Sequence, residues 1–266
     1  MMSKMKQINV GVIPAAGRGN RIAELPLTRI LPKPMLPIMN KPLLEYVIEN
    51  IRSVGVETIY LIVEHKRELI EEYFRDGKDW RVDIHYIRQK ELRGIAHAIS
   101  LTKDLIDEPF MVVLGDDLTV TRSLENVVST FWENNAWAVE GIVAEDNAEI
   151  LKHTCCVVLE KQTNRIVDIK EKPSYVKSNL RGTGIYLFDP IVFEFIDKTA
   201  PSPERNEKEI TDTIGLISKE GKAYGAMLNS MNFNINSFSD LMNATIFLLN
   251  MQTGTNLSDR PPTHEL

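Results

Sequence analysis

The residue types most suited to chemistry are concentrated between positions 8 and 42 of this 266-residue chain. The apolar run Ile8–Ile13, bounded by Pro14, predicts a buried strand. The loop that follows it contains several small residues, namely Ala15, Ala16, Gly17 and Gly19. Small side chains let a ligand approach the backbone N–H groups, and such groups bind phosphate oxygens well. The stretch therefore predicts a phosphate-binding loop after the first strand.

Positive charge is concentrated in the same stretch. Between positions 18 and 41 one acidic residue, Glu24, is accompanied by five basic residues: Arg18, Arg21, Arg29, Lys33 and Lys41. The whole chain has a formal net charge of -6, so this is a local positive region in an acidic protein. Lys33 lies between two prolines, which stiffen a loop by fixing φ. The combination predicts a polyphosphate ligand.

The loop matches neither of the two common phosphate-binding signatures. It has no Lys-Ser/Thr pair at P-loop spacing, and the second half of the dinucleotide fingerprint is missing after Gly17 and Gly19. A bare G-x-G is also typical of an ordinary turn between a strand and a helix. Arg21 and Lys33 in the same loop favour the phosphate interpretation.

Two later motifs follow predicted strands. Gln89 follows one strand and Gly94 precedes a helix, so the loop between them presents an amide and a bare backbone. An amide is both donor and acceptor, which suits a pyrimidine edge, although Gln89 alone is more typical of a polar loop residue. Asp116 and Asp117 end another apolar strand, where paired carboxylates favour a cation such as Mg²⁺ or the capping of a turn.

Two other groups of polar residues carry little information by themselves. His97 falls inside a predicted helix and is more typical of a packed side chain than of a catalyst. Glu171 and Lys172, followed by Pro173, are typical of a solvated strand end. Neither group indicates a site without further context.

The elements that must position these residues alternate along the chain. Strand patterns and helix patterns follow one another up to about position 135, which predicts a mostly parallel sheet covered by helices on both faces. Ligands of such sheets bind beyond the carboxyl ends of the strands, where the loop and both motifs should lie. The segments from Trp137 to Phe188 are less regular and predict antiparallel strands, and an apolar helix is predicted over 239–250.

Composition restricts the class of protein. Hydrophobic residues make up 43% and charged residues 26%, as in a globular protein of one large domain. No apolar run reaches the ~20 residues of a membrane span, and the first seven residues lack the apolar region of a secretory signal. Adjacent Cys155 and Cys156 are interpreted as buried and reduced, so a cytoplasmic protein is expected. The acidic balance argues against nucleic-acid binding.

Several of these motifs resemble the signature of the sugar-1-phosphate nucleotidyltransferases. The resemblance rests on A-A-G-x-G-x-R from Ala15, P-K-P-M-L-P-I from Pro32 and K-P-L-L-E-Y from Lys41, and it extends over roughly 8–250. Within that family the chain is most similar to the glucose-1-phosphate thymidylyl- and uridylyltransferases. Asn20 stands where the family usually has Thr.

The resemblance implies a fold and a domain organisation. The fold is α/β, a Rossmann-like, mostly parallel mixed sheet flanked by helices, with antiparallel additions in the second half. One domain would extend over 1–253, with a nucleotide-binding half at about 8–135 and a sugar-phosphate half at about 136–253. The tail 254–266 is expected to be disordered. The resemblance also implies a homo-oligomer, a dimer or a tetramer.

The resemblance further implies roles for individual residues. Arg21, Lys33, Asp116 and Lys172 would be catalytic, with Asp116 a ligand of Mg²⁺. The nucleotide would contact Ala15, Ala16, Gly17, Gly19, Gln89 and Gly94. The sugar phosphate would contact Glu171, Lys172 and Gly184. The substrates would be a nucleoside triphosphate, UTP or dTTP favoured, and a sugar 1-phosphate, with no nucleic acid or membrane as partner.

One segment departs from the family pattern. Where the family has W-x-D-x-G-T, this chain has Asn232, Asn234 and Asn236 in place of the Trp, Asp and Gly. Asn234 is therefore expected to be a weak second metal ligand, because an amide oxygen carries no charge. The departure leaves three functions open: the transferase, a non-catalytic member that senses nucleotide or sugar phosphate, and a transferase for another base or sugar.

Overall fold

The computed structural model describes residues 7–19, 26–121, 123–203 and 205–253. The predicted catalytic Arg21 and the tail 254–266, predicted to be disordered, lie outside these ranges. Thirteen β-strands lie within them: β1 Val10–Pro14, β2 Pro37–Ile38, β3 Lys41–Pro42, β4 Thr58–Val63, β5 Asp83–Arg88, β6 Phe110–Val113, β7 Asp117–Thr121, β8 Ala138–Ala144, β9 Cys155–Leu159, β10 Ile166–Glu171, β11 Leu180–Phe188, β12 Ala223–Met227 and β13 Ser230–Asn234.

Eight α-helices connect or cover these strands. They are α1 Leu43–Ser53, α2 Arg67–Phe74, α3 Ile95–Ser100, α4 Glu125–Glu133, α5 Ala148–His153, α6 Val192–Lys198, α7 Ile210–Lys219 and α8 Phe238–Thr253. Short 3₁₀ turns occur at Pro26–Arg29, Lys33–Met35 and Lys78–Trp80. None of the helices within the described ranges is long and apolar enough to cross a membrane.

Nine strands form the central sheet. Along one path their order is β10-β9-β11-β6-β1-β4-β5, and β8 pairs with β11 and β12. Strands β4, β5 and β6 run parallel to β1, whereas β11 runs antiparallel to β6, β8 and β9. Most strands share one direction, so the predicted α/β fold with antiparallel additions in the second half is confirmed.

The sheet is parallel in its first half because its strands are apolar on both faces. Ile13 and Leu61 belong to one buried cluster, while Val12 and Ile62 belong to another on the opposite face. Helices α1 and α4 contribute Val47 and Val127 to the first cluster, and α7 contributes Ile214 to the second, so both faces are covered, as parallel strands require. This arrangement brings the carboxyl ends of the strands to one edge.

The sequence patterns missed a two-stranded ribbon. Strands β7 and β13 pair in antiparallel orientation, with Asn234 opposite Asp117. The two segments, D-L-T-V-T and S-M-N-F-N, each alternate polar and apolar residues, but each is only five residues long and its partner lies far along the chain, so the sequence patterns alone do not reveal the pairing. Helix α3 is short: it ends at Ser100, and Leu101 to Leu105 form turns.

Candidate nucleotide and sugar-phosphate site

A cavity of about 470 Å³ lies beyond the carboxyl ends of β1, β5 and β6. It is lined by every predicted site residue that the structure describes: Ala15, Ala16, Gly17, Gly19, Lys33, Gln89, Gly94, Asp116, Glu171, Lys172, Gly184 and Asn234. These residues come from both halves of the chain. The fold therefore brings the loop, both later motifs and the Glu-Lys-Pro segment to one space.

The small-residue loop leaves open space beside its backbone. The Ala15 N–H donates to the Ile62 carbonyl at 2.8 Å, which ties the start of the loop to β4. At Gly17, by contrast, none of the described heavy atoms outside its neighbours lies within 4 Å of where a Cβ would stand. A ligand can approach the chain closely there, as the phosphate interpretation requires.

Lys33 and Asp116 form a pair inside the cavity. The Lys33 ammonium lies 2.9 Å from Asp116 Oδ2 and 3.4 Å from Asn236 Oδ1. Lys33 is buried, as are the other two residues of its 3₁₀ turn, whereas the Asp116 side chain is 40% exposed. The amide of Asn236 in turn donates to Asn234 Oδ1. A fixed ammonium is therefore placed beside a carboxylate that remains accessible to a ligand.

The asparagines that depart from the family pattern all have structural partners. Asn232 accepts a hydrogen bond from Arg181 at 2.7 Å and donates to the Thr119 hydroxyl at 2.6 Å, which crosslinks the ribbon to β11. Asn234 faces Asp117 across the ribbon and accepts from Asn236. Asn232 thus ties the ribbon to β11, while Asn234 and Asn236 bond to each other beside Lys33.

The donor set fits a hard divalent cation that arrives with its substrate. Asp116 supplies a carboxylate and Asn234 an amide oxygen, which are ligands that Mg²⁺ prefers. In the part of the chain that the structure describes, no cluster of three or more His, Cys, Asp or Glu side chains could hold an ion alone. Mg²⁺ is commonly bound by one or two carboxylates together with substrate phosphates, so the residues fit that mode.

Gln89 is buried and its orientation is fixed. Its Nε2 donates to the Gly94 carbonyl at 3.2 Å and lies 3.0 Å from His97 Nδ1. Burial lowers the pKa of His97, with Arg93 adding to the effect, so a neutral ring accepting at Nδ1 is favoured. Because the nitrogen is engaged, the carbonyl oxygen of Gln89 is the atom left to accept from a ligand.

Gly94 lies where only glycine fits. Its φ is 95°, and a Cβ at this position would lie 2.5 Å from the Lys208 carbonyl oxygen. The close approach lets the Ala96 N–H donate to that same carbonyl at 3.1 Å, which joins the first half of the chain to the segment before α7. The Gly94 carbonyl therefore holds the Gln89 amide, and the absence of a side chain at Gly94 lets the segment around Lys208 pack closely against the cavity wall.

Glu171 and Lys172 lie at the end of β10 on the far side of the cavity. Lys172 has a φ of 45°, the left-handed region, and its N–H donates to the Thr154 carbonyl at 2.7 Å. Its ammonium lies 3.8 Å from Glu171 Oε1. A non-glycine residue in this conformation costs energy unless its surroundings hold it, and such residues cluster at functional sites. The strand end thus directs the pair away from the sheet.

The sequence analysis missed several residues that line the second half of the cavity. They are Glu140, Cys155, Arg181, Tyr186, Arg205 and Glu209. Glu140 interrupts an apolar run in β8, whereas Arg181 lies at the start of β11 before Gly182, Thr183 and Gly184. The lone charge in an otherwise apolar strand was the signal that could have found Glu140.

The chain belongs to the nucleotidyl transferase family, whose family model matches residues 10–250. It is 37% identical over 238 residues to the bifunctional protein GlmU of Methanocaldococcus jannaschii, covering 90% of this chain but 54% of that relative. It is 34% identical to the UTP–glucose-1-phosphate uridylyltransferase AglF of Haloferax volcanii, covering 81% of this chain and 86% of that protein. The chain thus spans about half the length of the GlmU proteins it matches.

A solved structure supports the same assignment. The chain superposes on the crystal structure of a UDP-glucose pyrophosphorylase complexed with UDP-glucose with a TM-score of 0.81 and 27% identity. The superposition covers 92% of this chain and 100% of the other. The family resemblance expected from the sequence is therefore confirmed.

Proposed function

We propose that this chain transfers a nucleotidyl group from UTP or dTTP to a sugar 1-phosphate, giving a nucleoside diphosphate sugar and pyrophosphate. The observation that supports the proposal most is the shared cavity, in which the small-residue loop and the Lys33–Asp116 pair face the Glu171–Lys172 strand end. One side suits a triphosphate and the other an anionic sugar. Glucose 1-phosphate, named in the relative AglF, is the reference sugar substrate.

The reaction requires no protein nucleophile. An oxygen of the sugar phosphate, already anionic, attacks the α-phosphorus of the triphosphate, the bond from that phosphorus to the β-phosphate oxygen breaks, and pyrophosphate leaves. The chain contributes positioning and charge stabilisation. Lys33 and Arg21 would neutralise the triphosphate, and the backbone from Ala15 to Gly19 would bind its oxygens. Lys172 would orient the sugar phosphate. Glu171 would contact the sugar hydroxyls, and Gly184 would leave room for the sugar.

A divalent cation, Mg²⁺ by the chemistry of the donors, would be held by Asp116 with weak help from Asn234. When bound it neutralises charge on the phosphates. Asn234 already accepts from Asn236, so its oxygen is a secondary ligand at most.

The orientation of Gln89 predicts which base is accepted. Uracil and thymine carry a ring N3–H that donates, whereas cytosine presents an acceptor at N3. Since Gln89 offers its carbonyl oxygen, we expect UTP or dTTP to exceed CTP by about tenfold or more in kcat/KM, as one hydrogen bond in a buried site allows. Pyrophosphate release with glucose 1-phosphate and Mg²⁺, measured for UTP, dTTP, CTP, ATP and GTP, checks this.

The Gln89→Met variant, which keeps length but removes the acceptor, should lose that preference. Gln162→Met makes the same change at an exposed turn and should behave as the wild type. An unchanged preference in Gln89→Met would show that the base is read elsewhere. A preference for CTP or ATP in the wild type would instead favour a transferase for another base.

A second function is favoured by one specific feature, the amide at position 234 in place of a carboxylate. Under this alternative the chain binds nucleotide or sugar phosphate without efficient turnover and acts as a sensor or regulatory subunit. Calorimetry separates the two: tight nucleotide binding without pyrophosphate release from any sugar phosphate would favour the sensor. The division into two functional halves, the homo-oligomeric state and the cytoplasmic location stay predictions.

A further inference from the structure

Glu140 is a buried carboxyl without a hydrogen-bond partner. Its exposed fraction is 0%, and neither of its side-chain oxygens has a partner within the described residues. On β8 it shares a face with Ala138 and Ile142, which belong to the apolar core. Leaving a buried polar group unsatisfied costs about 1–3 kcal/mol, so such a residue needs a reason to be there.

The surrounding backbone leaves room for this carboxyl. A Cβ on residue 182 would collide with Glu140 Oε1, so glycine at that position of β11 is what allows Glu140 to fit. The same hypothetical Cβ would lie 3.3 Å from the Cys155 Cβ, which places that side chain beside the carboxyl. Glu140, Cys155 and Gly182 all line the cavity, together with Tyr186, the register partner of Glu140 on β11.

Within the described residues, the charge that acts most on Glu140 is not that of a counter-ion. The charged group that acts on it is another acid, Glu171, which together with burial raises the pKa of Glu140 to about 8. Tyr186 and Cys155, from the neighbouring strands, are both buried, and the pKa of each is raised, chiefly by burial. Two carboxyl groups facing one space repel each other unless a cation or a proton lies between them.

The lysine and arginines that line this half of the cavity have other partners. Within the described ranges, Arg181 donates to Asn232 and lies 3.7 Å from Glu145. Arg205 pairs with Glu209 at 2.6 Å, and the Lys172 ammonium lies 3.8 Å from Glu171. Since these described cations are paired elsewhere, Glu140 keeps its proton until a ligand brings a cation to it.

We propose that Glu140 is a specificity-determining residue that selects a sugar 1-phosphate carrying a free amino group, whose ammonium donates to the buried carboxylate. This rests on the proposed function and refines its sugar from a hexose to an amino-hexose. The ammonium supplies both the missing positive charge and up to three N–H donors. A hydroxyl at the same position supplies a donor but no charge.

The test compares glucosamine 1-phosphate, glucose 1-phosphate and N-acetylglucosamine 1-phosphate with one nucleotide. In the wild type, glucosamine 1-phosphate should exceed glucose 1-phosphate by about tenfold or more in kcat/KM, since a hydrogen bond to a charged group is worth roughly tenfold or more. Glu140→Gln should reduce turnover of glucosamine 1-phosphate by a similar factor while changing that of glucose 1-phosphate less than about threefold. Glu133→Gln, an exposed matched change, should alter neither.

Melting temperature distinguishes selectivity from a merely structural role. Glu140→Gln and Glu140→Leu remove an unsatisfied buried carboxyl, so both should melt at or above the wild-type temperature. The proposal would be overturned if Glu140→Gln lost turnover equally for all three sugars. A lower melting temperature of that variant, with unchanged ratios of kcat/KM between the sugars, would also overturn it. If the wild type preferred glucose 1-phosphate and Glu140→Gln did not change its turnover, the proposal would also be overturned, while the transferase function would remain intact. No pyrophosphate from any sugar phosphate would instead contradict the proposed function.

Discussion

Replacing Lys33 with Met should lower kcat by about 100- to 1,000-fold, the usual effect of removing one preorganised donor from developing charge. The ammonium lies 2.9 Å from Asp116 and is 4% exposed, so the chain holds it in place before any ligand arrives. Without it, negative charge on the triphosphate and on Asp116 would be unbalanced. Steady-state pyrophosphate release with both substrates saturating measures the effect.

Lys103→Met is the matched control for Lys33→Met. It removes a lysine–aspartate pair of nearly equal length, 2.8 Å to Asp197, on the surface away from the cavity. This variant should keep wild-type turnover, because an exposed pair contributes little to stability and Lys103 does not line the cavity. Turnover of Lys33→Met within about threefold of the wild type would contradict the role assigned to that ammonium.

The second large effect is on stability. The pKa of Glu140 is raised from its ordinary value of 4.5 to about 8, so the folded chain keeps a proton that the unfolded chain releases between those pH values. The unfolded state binds fewer protons there, so the free energy of unfolding falls as pH rises, by about 1.4 kcal/mol per pH unit at most. Above a pH of about 8, Glu140 is ionised in both states, and the free energy of unfolding has fallen by its full amount.

Urea denaturation at pH 5, 6, 7 and 8 measures this dependence. Relative to Glu140→Gln, which has no proton to release, the wild type should lose of the order of 4 kcal/mol between pH 5 and 8. Glu133→Gln should track the wild type across the range. Parallel profiles for the wild type and Glu140→Gln would show that the carboxyl titrates at its ordinary value and is not buried as described.

Local pattern was enough for the parallel half of the fold. Apolar runs rich in β-branched residues, such as Thr58–Val63, form strands, because a strand buried on both faces needs no alternation of polar and apolar residues. Because ligands of parallel sheets bind beyond the carboxyl ends of the strands, the small-residue loop, Gln89 and Asp116 were also expected near one another, and they line one cavity. These features depend on neighbours in sequence or on strand direction alone.

What the patterns missed depends on contacts between distant segments. The ribbon joins Asp117 to Asn234, which lie far apart in the sequence, and nothing within either five-residue strand identifies the other as its partner. The lone charge of Glu140 is visible in its own strand, but that its carboxyl fits there depends on glycine at position 182 of another strand. Neither relation can be read from one segment by itself.

The most direct test of the nucleotidyl transfer is a reaction with UTP or dTTP, Mg²⁺ and a sugar 1-phosphate labelled with ¹⁸O in its non-bridging oxygens. Because a sugar-phosphate oxygen attacks the α-phosphorus, the nucleoside diphosphate sugar should retain all of the label. Pyrophosphate should be unlabelled, equal in amount to the product, and formed only with both substrates. Label in the pyrophosphate, or nucleotide bound without any sugar nucleotide formed, would contradict the transfer.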